Sequence, residues 1–129
     1  GWFIRKAVEG EEIPLFGDGS QLRDPVYVDD VVAAFLRAGL SPVADGQVFN
    51  LGAQPVSLRT IAETLIAICG CGRTRLAPFP EDRRRIDIGS YYGDYWKAER
   101  LLHWKPEVSL EEGLRRTVEF FRRHREHYW

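Results

Sequence analysis

Residues 16–30 read FGDGSQLRDPVYVDD, and the fold turns on how this stretch is parsed. Residues 13–16, just before it, have the composition of a short strand, although Pro14 removes one ladder donor. Gly17-Asp18-Gly19-Ser20 is turn chemistry: glycine tolerates positive φ, and aspartate offers a carboxylate to its own backbone. Residues 26–28 read as another short strand. Asp29 or Asp30 then caps a helix whose apolar face is Val31, Phe35, Leu36 and Leu40. Strand, glycine turn, strand and amphipathic helix in succession are an α/β pattern.

The same grammar extends to both sides. Upstream, Ile4, Ala7 and Val8 fit one helix face over 2–8, with Gly10 suited to its C-terminal cap. Downstream, 48–51 read as a buried strand closed by Gly52. Ser57 caps a helix carrying Leu58, Ile61, Leu65 and Ile68, which Gly70 stops. Residues 77–93, rich in Pro, Arg and Gly, read as a long ordered loop with room for one short strand. Asp94 caps a short helix through Leu102. Ser109 and Glu112 form an S-x-x-E capping box for a last helix from Leu110 to about His124. Its inner face is Leu110, Leu114, Thr117, Val118 and Phe121. The strands are too few for a complete doubly wound sheet. The expectation is a small mixed α/β lobe, one domain over 1–129.

Composition narrows the function. The chain has 129 residues, 44% hydrophobic and 29% charged, with a net charge of −1. That charge argues against a generally basic nucleic-acid binder and against a polybasic membrane patch. No apolar run approaches the roughly 18 residues of a membrane span, and the N-terminus lacks a signal peptide's apolar core. Only Lys6, Lys97 and Lys105 are lysines among 18 basic residues. Arginine is the residue of forked contacts to carboxylate and phosphate. The chain contains no methionine, which points to an excised or truncated segment. Cys69 and Cys71, in C-G-C, are too close for a zinc knuckle or a C-x-x-C pair and read as reduced thiols of a cytoplasmic protein. His124 and His127 lack a third ligand and read as solvated surface.

Several catalytic signatures are missing. Gly17-Asp18-Gly19 is followed by Leu22 where a dinucleotide loop needs its third glycine. No tyrosine lies four residues before any lysine, so no Tyr-x-x-x-Lys acid/base pair exists. A nucleophile elbow and a Walker loop are absent too. What remains are two segments that set arginine beside aspartate and aromatic rings: 16–30, with Arg23-Asp24, and PEDRRRIDIGSYYGDYWKAERLLHW at 80–104. Arginine forks suit a diphosphate, a carboxylate suits ribose hydroxyls, and an aromatic face suits a base.

These segments carry a resemblance. FGDGSQLRDPVYVDDV resembles the F-G-x-G-x-Q-x-R-D-x-x-x-V-x-D signature of extended short-chain dehydrogenase/reductases, the NAD-dependent epimerase/dehydratase family of nucleotide sugars. VFNLG at 48–52 looks like its F-N-[IL]-G strand. RRRIDIGSYYGDYWKAERLLHWKPEVSLEEGLRRTV is similar to its closing run, from R-x-x-D to L-E-E-G-L. The resemblance spans essentially the whole chain and is UDP-glucose 4-epimerase-like. It implies the C-terminal portion of a Rossmann-type NAD(P)-binding enzyme, the nucleotide-sugar-binding lobe. The glycine loop and Tyr-x-x-x-Lys dyad would belong to an N-terminal NAD-binding domain outside these residues.

Position by position, the resemblance assigns Arg23 to the nucleotide diphosphate. It gives Arg84 and Asp87 to the phosphate and the ribose or base side, and Phe16 to the base. Asn50 and Asp30 match letters of structural role. Three departures stand out: Pro25 for an aromatic, Trp96 for Ser or Thr, and His103 for the glycine of L-G-W. The implied partners are a UDP- or dTDP-linked sugar and the NAD-binding domain, with self-association through the surface that domain would cover. No catalytic residue, cofactor site or metal site is expected in the chain itself. The alternatives are an interaction module, or an anion- and RNA-binding module that stacks bases on Tyr91, Tyr92, Tyr95 and Trp96 beside Arg83, Arg84 and Arg85. The interleaved acids count against RNA.

Overall fold

The computed structural model describes residues 1–129, except the side chain of Arg83. Helix α1 (Trp2–Val8) leads through a turn with Gly10 at φ 70° into strand β1 (Glu12–Phe16). Strand β2 (Leu22–Arg23) and helix α2 (Val28–Gly39) follow. Strand β3 (Val56–Ser57) runs directly into helix α3 (Leu58–Cys69), and strand β4 (Arg73–Ala77) comes next. A one-turn helix α4 (Glu81–Arg84), helix α5 (Trp96–Leu102) and helix α6 (Leu110–Arg123) complete the order. The fold is a small α/β lobe, as its sequence pattern implies.

Two short ladders organise it. β1 and β4 pair in parallel, from Glu12 opposite Arg73 to Phe16 opposite Ala77. β2 and β3 pair antiparallel, Leu22 opposite Ser57 and Arg23 opposite Val56. Along β1 the side chains alternate, Ile13 and Leu15 inward and buried, as the two-residue period of a strand requires. They meet Ala7 of α1, Ala62 and Leu65 of α3, and Val118 of α6 in one core. A second core joins Ala34 of α2 to Ala98 and Leu102 of α5 and to Trp104. Buried Asp30 ties its parts together: its carboxylate accepts from the Val108 N–H at 3.0 Å, and its carbonyl accepts from the Trp104 indole at 2.7 Å.

Most helix ends fall where the sequence puts them. Ser57 Oγ accepts from the Thr60 N–H at 2.9 Å, and α3 stops at Gly70 with φ 72°. At α5 the N-cap is Tyr95, one residue past the expected Asp94, whose carboxylate still takes the Trp96 N–H at 2.8 Å. At α6 only half of the capping box forms. Ser109 Oγ accepts from the Glu112 N–H, but the Glu112 carboxylate turns to Arg116 and Arg115. Those two guanidinium groups, Arg116 foremost, hold it below the usual carboxylate range. His103 ends α5 in the left-handed region at φ 51°, the conformation for which glycine is the ordinary choice.

Five expectations are corrected. Residues 26–28 do not form a strand; the second strand is Leu22–Arg23, and Val28 already opens α2. Tyr27 is the N-cap, and Asp29 and Asp30 lie inside the first turn, where carboxylates favour the helix dipole. Residues 48–51 join no ladder, and Val48 is 79% exposed. The apolar stripe of α2 faces outward, with Phe35 71% and Leu40 86% exposed, while Asp30 and Ala34 face the core. In the stretch assigned to a loop, the regular element is the helical turn α4. The missing strand, β4, lies just before it.

Candidate nucleotide site

The parallel pairing of β1 with β4 brings Phe16 and the segment after Ala77 to the same end of the small sheet. There the rings of Phe16 and Phe79 meet at 5.6 Å. They line a cavity of about 520 Å³, open to solvent, with Trp2, Pro14, Gln21, Ile86 and Asp87. That volume lies within the span of small-molecule sites. The walls are apolar and aromatic, and the Asp87 carboxylate is their anionic group. Gln21 is anchored by its amide nitrogen on the Phe16 carbonyl at 3.3 Å. Its Oε1 is buried without a hydrogen-bond partner, and an orphaned acceptor beside a cavity usually calls for a ligand donor or water.

Arg23 sits elsewhere. Its Nη1 donates to the carbonyls of Leu22 and Gly89, each at 2.6 Å, and so ties β2 to the loop that follows Asp87. The Ser90 hydroxyl and the Tyr91 N–H complete the attachment through the Leu22 N–H and carbonyl. Arg84 ends α4, is exposed, and does not line the cavity. The structure therefore brings Phe16 and Asp87 onto one cavity, sets Arg23 against the same loop, and leaves Arg84 at the rim of that segment. The side chain of Arg83 in the arginine run lies outside the described residues. Sequence reading missed Gln21 and Phe79. Gln21 stands in the quoted F-G-x-G-x-Q run as an unassigned letter, and Phe79 lies between Pro78 and Pro80, with no periodicity to mark it.

Other polar clusters are structural. The Asp18 carboxylate folds back on Ser20, whose hydroxyl and N–H hold it below its usual range. Cys69 and Cys71 are free thiols, and burial pushes the Cys69 thiol up. His124 packs on Phe120 at 4.6 Å, and no group of metal-binding side chains is found among the described residues. No described helix is long and apolar enough to cross a membrane.

Comparison with known proteins follows the same line. Residues 1–52 match the sequence model of the NAD dependent epimerase/dehydratase family. The chain is 40% identical to UDP-glucose 4-epimerase of Mycolicibacterium smegmatis over 93% of its own length and 37% of that protein's. It is 37% identical to UDP-glucuronate 4-epimerase of Thermodesulfobacterium geofontis, over 90% of its length and 35% of the relative's. It thus spans little more than a third of the curated relatives it matches. Among solved structures, UDP-glucose 4-epimerase from Thermotoga maritima, crystallised with UDP-glucose, superposes with a TM-score of 0.81 at 38% identity. That match covers 95% of this chain and 38% of the other. Motif order, fold and relatives agree over nearly the whole length, and the chain belongs to the NAD-dependent epimerase/dehydratase family.

Proposed function

We propose that these residues form the C-terminal nucleotide-sugar-binding lobe of an NAD-dependent sugar epimerase or dehydratase, taking the UDP or dTDP end of the substrate. The cavity between Phe16, Phe79, Gln21 and Asp87 carries this reading. A base fits against the paired Phe16 and Phe79 rings, and Asp87 can accept from nucleoside hydroxyls or N–H groups. Arg23 and Arg84 supply charge for the diphosphate. The lobe's part in catalysis is then affinity and orientation, binding energy that sets the sugar against a reacting centre elsewhere.

The residues present do not build a site for NAD. The glycine turn at 17–19 leads into β2 rather than a helix. Its space is filled: a Cβ on Gly19 would lie 3.1 Å from Leu15 Cδ1, and the Arg59 guanidinium covers the Asp18 carbonyl. NAD and the tyrosine–lysine chemistry belong to an N-terminal domain outside these residues, and the chain alone does not catalyse. The outward stripe of α2, with Phe35, Leu36 and Leu40, is the face such a domain would cover. A cytoplasmic setting suits the two free cysteines.

Titration calorimetry tests the reading. UDP should bind more tightly than uridine, and Arg84→Ala or Arg23→Ala should remove most of that difference. Asp87→Ala should weaken both by similar factors, because it meets the part they share. Exposed Arg85 is the control. Equal affinity of the parent chain for UDP and uridine would overturn the diphosphate assignment. RNA binding that falls steeply with salt would favour the stacking module instead.

A further inference from the structure

Three backbone segments meet beside the loop that follows Asp87. The Asp24 carboxylate, half-buried at the end of β2, accepts from the Gly93 N–H at 2.8 Å. Gly52 lies against both partners: a Cβ there would come within 2.6 Å of the Gly93 carbonyl and 2.8 Å of Asp24 Oδ2. A Cβ on Gly93 would in turn meet the Leu51 carbonyl at 2.9 Å. Real Cβ atoms do not approach backbone so closely, so this contact demands glycine on both sides. Residues 51–52, 24 and 93 are therefore locked at van der Waals distance around one carboxylate.

The lock bears on the cavity through the loop it holds. Gly93 is the far end of the segment that begins with Ile86 and Asp87 at the cavity wall. Between them, Gly89, Ser90 and Tyr91 are hydrogen-bonded to Arg23 and Leu22. The segment is exposed for most of its length. It has no ladder and no core of its own, so these polar attachments fix its path. Two of them are charge-assisted, the Arg23 guanidinium on the Gly89 carbonyl and the Asp24 carboxylate on the Gly93 N–H, and the second is also held where Gly52 packs against Gly93 without room for a side chain. Charge-assisted bonds of this kind are the stronger ones.

Resting on the nucleotide reading above, we propose that Asp24 is a positioning residue: by pinning Gly93 it sets where Asp87 stands in the cavity, without touching the ligand. Asp24→Ala should weaken UDP binding by calorimetry about tenfold, the size of one lost hydrogen bond to a charged group. Asp24→Asn keeps an acceptor oxygen for Gly93 and should restore binding to within about threefold. Asp87→Ala should cost much less in the Asp24→Ala background than in the parent, since a displaced carboxylate has little left to lose. Tryptic cleavage after Arg84 and Arg85 reports the loop without ligand, and it should quicken in Asp24→Ala and not in Asp24→Asn. Asp24→Ser, too short to reach Gly93, is the second variant if Asp24→Ala fails to fold. UDP bound equally by parent and Asp24→Ala, or additive losses for Asp24 and Asp87, would overturn the pin and leave the nucleotide reading standing. A parent chain that binds no UDP, with cleavage still released by Asp24→Ala, would overturn the nucleotide reading and with it Asp24's part in ligand binding.

Discussion

Helices α2 and α3 are each 12 residues long, and both carry an apolar stripe at helical spacing. In α3 the stripe is the buried side: Ala62 and Leu65 are fully covered, and Leu58, Ile61, Ile66 and Ile68 pack around them. In α2 the small residues Ala33, Ala34 and Ala38 enter the core while Val32, Phe35, Leu36 and Leu40 face solvent. The difference teaches what periodicity does and does not specify. It marks a face that is costly to leave wet, but not which neighbour covers it. α2 is apolar on two sides, and its alanine side lets α5 approach closely. The larger residues are left for a surface beyond this lobe.

The contrast can be tested by substitution. The largest loss should come from Trp104→Ala, which removes the fully buried anchor of the α2–α5 core and its bond to the Asp30 carbonyl. About 3–5 kcal/mol of unfolding free energy should disappear in urea titration. Next comes a matched pair. Leu65→Ala, at a site with no exposure, should cost about 2–5 kcal/mol, whereas Leu40→Ala, 86% exposed, should stay within about 0.5 kcal/mol. Similar losses at the two positions would mean that the α2 stripe is covered in solution. A smaller change of opposite sign is expected at His103. Replacing it with glycine relieves the left-handed backbone at φ 51° while keeping the carbonyl that Arg37 binds. A gain of about 1 kcal/mol should result.

The smallest effect on stability belongs to the double variant Phe35→Ser with Leu40→Ser, and it sharpens the comparison most. Unfolding should be nearly unchanged, but light scattering should show less self-association than in the parent chain. A parent that stays monomeric from dilute to concentrated solution would remove the ground for calling this face sticky.

How much of this was legible beforehand varied with the kind of signal. Helix ends were readable because their chemistry is local: Ser57, Gly70, Asp94 and Ser109 each act within a few residues of themselves. The strands were harder. β2 and β3 are two residues each and exist because of the partner opposite, not because of their own composition. β4, with exposed Arg73 and Arg75, has no alternating apolar pattern to announce it. Its arginines instead bracket Glu12 across the ladder, Arg75 and then Arg73 drawing that carboxyl below its ordinary range. The candidate site residues were reachable only through motif resemblance. Phe16 and Asp87 share a cavity as that resemblance implies, whereas the grip of Arg23 on Gly89 follows from tertiary structure.

The parallel ladder has a consequence for how the chain reaches this state. Glu12 and Arg73 must find each other across everything that lies between them, and β2 must wait for β3 in the same way. Closing such loops spends chain entropy before any ladder bond repays it. The helices can form early and locally, but the sheet end that shapes the cavity is assembled from contacts 61 residues apart in sequence, a topology associated with slower folding. The cavity beside Phe16 and Phe79 should accordingly form after the helices, and refolding followed by a cavity probe should lag behind refolding followed by helix content.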